Sequence, residues 1–146
     1  MGRNEYFLQK AEALKPVLNR WVIYGRRMDA AVDFCGESYC AGAVIRLDFG
    51  NHMVGRLTLK LGYTGSHPDA PVWLRLKFAE RECELSEDAE SYHGWISKGW
   101  IQQEQLHVDV LPTQLELPRR YAFRYLQIEV LDVSSKYRLR IEDAWC

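Results

Sequence analysis

Aliphatic or phenyl side chains occupy every second position of the stretch VWLRLKF, residues 72–78. Side chains of an extended chain point alternately to its two faces, so this segment would present one apolar and one polar face. The apolar set is Val72, Leu74, Leu76 and Phe78. The opposite set is Trp73, Arg75 and Lys77. This period of two predicts a β-strand that packs one face on a hydrophobic core.

Further segments repeat the pattern on both sides of this strand. They are residues 45–49, 57–61, 126–130 and 137–141. We expect turns at Gly50-Asn51 and over residues 62–71, which are rich in Gly, Pro, Ser and Asp. Residues 100–111 predict another strand, and Pro112 and Pro118 bracket a short one. Such a series of alternating strands is typical of an all-β antiparallel sandwich.

The N-terminal segment has a different pattern. Asn4 is a suitable N-cap, and an apolar stripe follows it at Tyr6, Phe7, Leu14 and Leu18. These residues predict a short helix over residues 4–20, which Pro16 would end or kink. The expected organisation is a helical segment, residues 1–20, and a β-sandwich domain, residues 21–146.

Composition narrows the function classes. The chain has 146 residues, about one domain, and 47% of them are hydrophobic, which argues against disorder. With 19 Lys and Arg against 20 Asp and Glu, the formal net charge is −1, which argues against a nucleic-acid partner. No apolar run approaches the roughly 20 residues of a membrane helix, and no signal peptide opens the chain. We expect a cytoplasmic protein with reduced cysteines.

Metal and carboxylate sites have weak support in the sequence. No C-x-x-C motif and no histidine spacing typical of a metal site occurs, so no cofactor is expected. Residues 80–90 are acidic, and a glycosidase needs two carboxyl groups about 5–10 Å apart across a sugar. Neighbours in a loop rarely satisfy that spacing, so a solvated acidic loop is the simpler interpretation. A calcium site is a second alternative, although the usual Asp-x-Asp-x-Asp-Gly spacing is missing.

Exposed aromatic residues are the strongest candidates for binding. Trp73 would point outward beside Arg75 and Lys77, where it could stack on a sugar ring or be covered by a helix or a partner domain. A second aromatic group lies on an expected loop, at Tyr92, Trp95 and Trp100. Loops at the end of a sandwich often carry binding residues, although such aromatics can also anchor the loop itself.

Arg124 shares the parity of the inward residues Leu126 and Ile128, and Glu80 shares that of Leu76. A buried Arg is costly unless it is paired, so we predict a largely buried Arg124–Glu80 ion pair. The alternative is that a bulge near Tyr121 reverses the parity and leaves Arg124 at the surface.

Three runs together resemble a known family. They are LDFGNHMVGRLTLKL (residues 47–61), VWLRLKFAE (residues 72–80) and RRYAFRYLQIEV (residues 119–130). Their D-F-G, G-R-L, A-E and F-R-Y elements resemble the β-sandwich region that precedes the catalytic domain in bacterial α-L-rhamnosidases, glycoside hydrolase family 78. The resemblance implies a jelly-roll, galactose-binding-like sandwich. It also implies that catalysis resides in a separate α/α-barrel, which 146 residues are too few to contain.

Three hypotheses for the function of this chain remain open. The leading hypothesis is a non-catalytic accessory domain of a rhamnosidase-like hydrolase, whose partner is the downstream catalytic barrel and which could border the sugar site. The second is an independent carbohydrate-binding module for a rhamnose-containing carbohydrate. The third is an enzyme that hydrolyses sugars by itself. Exposed aromatics lining a groove would favour the binding module, and a flat apolar patch would favour docking.

Overall fold

Strands account for nearly all of the regular structure. The structure is a computed structural model that describes residues 12–13, 22–23, 26–27, 37–86, 93–94 and 102–146. Its strands are β1 (Glu12–Ala13), β2 (Val22–Ile23), β3 (Arg26–Arg27), β4 (Ser38–Tyr39), β5 (Val44–Gly55), β6 (Thr58–Gly65), β7 (Val72–Ala79), β8 (Gln102–Val108), β9 (Thr113–Glu116), β10 (Tyr121–Asp132) and β11 (Tyr137–Trp145). A short 3-10 helix follows β7 at Glu82–Ser86.

The strands form two antiparallel sheets and a small two-stranded ribbon. One sheet has the order β1-β5-β10-β7-β8, the other has the order β4-β11-β6-β9, and β2 pairs with β3. The apolar faces of the two large sheets supply a single cluster of buried side chains. The prediction of an all-β antiparallel sandwich is therefore confirmed, and each predicted strand corresponds to an observed one.

The register across the five-stranded sheet explains the apolar alternation. Ile45, Ile128 and Leu76 lie side by side on β5, β10 and β7, and all three are fully buried. Full burial of such a side chain stabilises the fold by roughly 1.5–3 kcal/mol. The residues directly before and after each of these three along its strand therefore point to the opposite face of this sheet. We call that face the outer face.

Two local expectations are wrong. Gly50-Asn51 does not form a turn, because β5 continues from Val44 to Gly55 and the chain reverses only before β6. The helix predicted over residues 4–20 is not supported, since Glu12–Ala13 form a strand paired with β5 at Asp48 and Leu47. Pairing with the free edge of a long strand satisfies backbone groups that an isolated, Pro-interrupted helix would satisfy less well.

Irregular pairing along β10 decides which side chains reach the outer face. Between the pairs Tyr125–Asp48 and Phe123–Met53, the register with β5 shifts around Arg124. A second shift, in the pairing with β7, falls between Val130 and Asp132. Each irregularity changes the parity of the residues that follow it, as β-bulges do.

Within the described part of the chain, the only helix is the five-residue 3-10 turn, and no helix is long and apolar enough to cross a membrane.

Candidate functional site

The outer face of β7 carries the binding residues predicted from the sequence. Trp73, Arg75 and Lys77 lie there in a row, opposite His107, Gln105 and Gln103 of β8, respectively. Trp73 is 37% exposed, so the prediction that it points outward is confirmed. The three side chains nevertheless have different surroundings, which separates their possible roles.

Trp73 is fixed by its neighbour on β8. Its ring stacks on the imidazole of His107, with ring centroids 5.2 Å apart and an angle of 20° between the planes. β7 lies between β8 and β10 in the sheet, so the ring face that is turned away from His107 lies on the β10 side. The residue paired with Trp73 on β10 is the exposed Asp132.

Lys77 does not belong to an open binding surface. It shares the outward parity of Trp73, but it is only 8% exposed and its Nζ lies 4.0 Å from Oε1 of Glu129. Arg75 pairs with the same carboxylate, through Nη1 and Oε2 at 3.1 Å. Two cations around one carboxylate form a structural cluster, in which Lys77 has no solvent-facing ammonium to offer a sugar.

This cluster continues across β10 to β5. Arg46 Nε donates to Oε1 of Gln127 at 2.7 Å, and Gln127 Nε2 donates to Oε1 of Glu129 at 2.7 Å. Gln127 is only 3% exposed. Burial lowers the pKa of Arg46, and the negative charges of Glu82 and Glu129 oppose that shift. The central part of the outer face is therefore a buried polar layer rather than a solvated surface.

The layer is incompletely satisfied at its β8 side. Nε of Arg75 and Oε1 of Gln103 are buried and have no hydrogen-bond partner among the residues that the structure describes. One is a donor, the other is an acceptor, and the two residues are diagonal neighbours on β7 and β8. Diagonal neighbours lie within reach of long side chains, but these two atoms are not paired, so this side of the layer keeps one buried donor and one buried acceptor unsatisfied.

The predicted Arg124–Glu80 ion pair is wrong. Arg124 instead binds Asp48 with two hydrogen bonds, from Nε to Oδ1 at 2.9 Å and from Nη2 to Oδ2 at 3.1 Å. Oε1 of Glu80 lies 3.1 Å from Nε2 of the exposed His52 instead. The cause is the irregular pairing around Arg124, which breaks the parity that placed this side chain in the core. The side chain is 39% exposed, whereas the alternative expected a bulge near Tyr121 and an arginine at the surface.

This Arg124–Asp48 clasp joins the motifs that carried the family resemblance. Asp48 of D-F-G, Tyr125 of F-R-Y and Ala79 of A-E lie in one row across β5, β10 and β7. The Arg124 guanidinium also lies 5.1 Å from the centre of the Tyr125 ring. Its hydrogen bonds to Asp48 raise the pKa of Arg124, which favours the charged guanidinium. The clasp thus joins β5 to β10 at an irregular point of the sheet, next to the backbone pairing of β10 with β7.

A second polar cluster links β8, the edge strand of the five-stranded sheet, to the start of β10. Glu104 Oε1 accepts hydrogen bonds from Tyr121 Oη at 2.9 Å and from Arg119 Nη1 at 2.8 Å. Burial and the bond to Glu104 raise the pKa of Tyr121 to about 12. Beside it, the Gln102 amide makes two hydrogen bonds of 3.0 Å with the backbone of Ala122, at a place where β10 is not yet paired with β7.

The remaining sequence candidates are not tested. Tyr92, Trp95 and Trp100 lie outside the described residues. No group of three or more His, Cys, Asp or Glu side chains that could hold a metal ion occurs in the described ranges, and calcium binding stays untested.

Sequence reasoning missed His107 and Asp132. His107 could have been found from the strand predicted over residues 100–111, if its register with Trp73 had been known. Asp132 could not, because its place opposite Trp73 depends on the bulge after Val130.

Comparison with known proteins identifies the fold's family. Residues 18–146 match the family model described as the glycosyl hydrolase family 78 alpha-rhamnosidase N-terminal domain. This chain belongs to that family. A search of curated proteins gave no significant match. Among solved structures, the family 78 N-terminal domain described here is similar to a rhamnosidase from Klebsiella oxytoca with rhamnose bound, with 38% sequence identity and a TM-score of 0.75. The similarity covers 94% of this chain and 27% of the Klebsiella chain.

Proposed function

We propose that this chain is a non-catalytic accessory domain of a family 78 glycoside hydrolase, which packs on the catalytic α/α-barrel of the parent protein. The observation that carries the proposal is the match of residues 18–146 to the family's N-terminal domain, together with the small share, 27%, of the rhamnosidase chain to which it corresponds. Most of that rhamnosidase lies outside the similar region, which leaves room for a separate catalytic domain.

The surroundings of the described carboxylates support a structural role. Glu129 is shared by Arg75 and Lys77, Glu104 binds Arg119 and Tyr121, and Asp48 binds Arg124. A glycosidase needs one carboxyl group that can donate a proton and a second that is free to act on the sugar or on water. Carboxylates held by cations instead fix strands relative to each other.

An assay of the purified chain tests the absence of catalysis. We expect no hydrolysis of an aryl α-L-rhamnoside above the rate of the buffer blank, over hours and at high protein concentration. Turnover that disappears after a single carboxylate substitution, such as Glu104→Gln, would contradict the proposal. A variant that removes the exposed Asp109 serves as the matched control for trace contamination, because a contaminating hydrolase would act equally in both preparations.

An independent carbohydrate-binding module is the second candidate. The half-exposed ring of Trp73 favours it, since aromatic rings of this kind stack on the apolar face of sugars. The two candidates are compatible in one protein, because a domain that borders a sugar cleft can both pack on the barrel and contact the carbohydrate.

A further inference from the structure

We propose that Trp73 and Asp132 form a binding site for a neutral pyranose on the outer face of the sandwich, with Trp73 as the stacking platform and Asp132 as the hydroxyl acceptor. The inference rests on the proposed carbohydrate contact of this domain. It replaces the sequence-based set of Trp73, Arg75 and Lys77, of which Lys77 is buried against Glu129.

The platform is pre-organised. His107 covers one face of the Trp73 ring in a near-parallel stack, which limits rotation of the indole. The residue as a whole stays 37% exposed. A ligand that stacks on the other face therefore meets a ring already held in place, and little side-chain entropy is lost on binding.

The acceptor is placed by a bulge. Val130 pairs with Leu74, and the next paired residue of β10 is Asp132, opposite Trp73. Without this irregularity Leu131 would occupy that position, and the platform would border an aliphatic side chain. Bulges are common beside functional sites because they redirect single side chains. Here the bulge places the exposed Asp132 opposite Trp73 on β10, the strand on the other side of β7 from His107.

Asp132 is available for a ligand. It makes no hydrogen bond or ion pair with the described residues, whereas the nearby Asp69 is engaged by Lys136 at 3.1 Å. An ionised carboxylate offers only acceptor positions and can take two adjacent hydroxyl groups at once. A ring with an apolar C–H face and a rim of hydroxyl donors satisfies both groups, and a neutral pyranose has this chemistry.

Titration of the full chain by ¹H–¹⁵N NMR tests the site, with L-rhamnose and D-glucose as the two probes. We expect saturable shifts of the Trp73 indole N–H and of the Asp132 amide. Trp73→Ala should abolish the shift of the Asp132 amide, and Asp132→Ala should weaken binding by about tenfold, the range of a hydrogen bond to a charged group. The control is Glu80→Ala, which removes an exposed carboxylate just beyond the end of β7 opposite to Trp73 and should leave binding unchanged.

Several results would overturn the site. They are the absence of saturable shifts with both sugars, an Asp132 amide shift that survives Trp73→Ala, or equal losses in Glu80→Ala and Asp132→Ala. Unchanged dispersion of the core amides shows that a variant is folded, and Asp132→Ala changes only an exposed side chain. A negative titration would leave the accessory role intact, because the hydrolysis assay and barrel packing do not depend on this site.

Discussion

Breaking the Arg124–Asp48 clasp should destabilise the sandwich measurably. Removing one partner of an exposed ion pair costs about 0–1 kcal/mol, and removing one partner of a buried pair costs about 3–5 kcal/mol. The side chains are 39% and 22% exposed, so solvent screens the pair in part. The two-bond geometry strengthens it. We therefore expect Arg124→Met to lower the free energy of unfolding by about 1–2 kcal/mol.

The corresponding fall in melting temperature follows from chain length. An entropy of unfolding of about 2.1 cal/mol/K per residue implies that each kcal/mol shifts Tm by about 3 °C in a domain of this size. Arg124→Met should thus lower Tm by about 3–7 °C. Urea denaturation of Arg124→Met, Asp48→Asn and the double variant should give a coupling energy of about 1 kcal/mol.

The control for this cycle is Arg56→Met. Arg56 lies in an exposed pair with Glu116, 3.9 Å apart, and its loss should change stability by less than about 0.5 kcal/mol. Additive losses in the double variant, or an Arg124→Met variant as stable as the Arg56→Met control, would refute the claim that the clasp holds β5 to β10.

Two further predictions concern the polar cluster that links β8 to the start of β10. Gln102→Leu should lower the free energy of unfolding, measured by urea denaturation, by about 1–3 kcal/mol, because both backbone groups of Ala122 lose their hydrogen-bond partner. The exposed control Gln105→Leu should change it by less than about 0.5 kcal/mol, and equal effects of the two substitutions would contradict the prediction. The pKa of the Tyr121 phenol should be about 12, above its ordinary value of 10. The contribution of this phenol to stability is therefore complete below pH 10 and is lost as the pH rises towards 12. Ultraviolet titration should give a lower pKa for Tyr121 in Glu104→Gln than in the wild type.

Regular strands were predictable because one face of each lies on a core. The alternation around Leu76 or Ile128 follows directly from burial, and the observed strands contain those segments. The positions of the two bulges were not predictable, since no particular residue type in the sequence marks where a strand carries an extra, unpaired residue. They account for the error at Arg124 and for the missed Asp132.

The sequence predicted which face of the sheet the candidate side chains lie on, but not how exposed each of them is. Parity correctly placed Trp73 and Lys77 on the same face, yet one is exposed and the other is buried. Exposure on the outer face depends on what packs over it, and alternation along a single strand carries no information about that. The helix predicted around Glu12 failed for a related reason, because the free edge of β5 is a tertiary feature.

A domain exchange tests the accessory role most directly. The region of the Klebsiella oxytoca rhamnosidase that is similar to this chain would be replaced by this chain, and hydrolysis of an aryl α-L-rhamnoside and Tm would be compared with those of the intact enzyme and of a deletion that lacks the region. We predict that the exchanged protein is soluble and active and melts above the deletion, whereas the isolated chain is inactive. An exchanged protein no more stable or active than the deletion, with the inserted sandwich folded, would contradict the account.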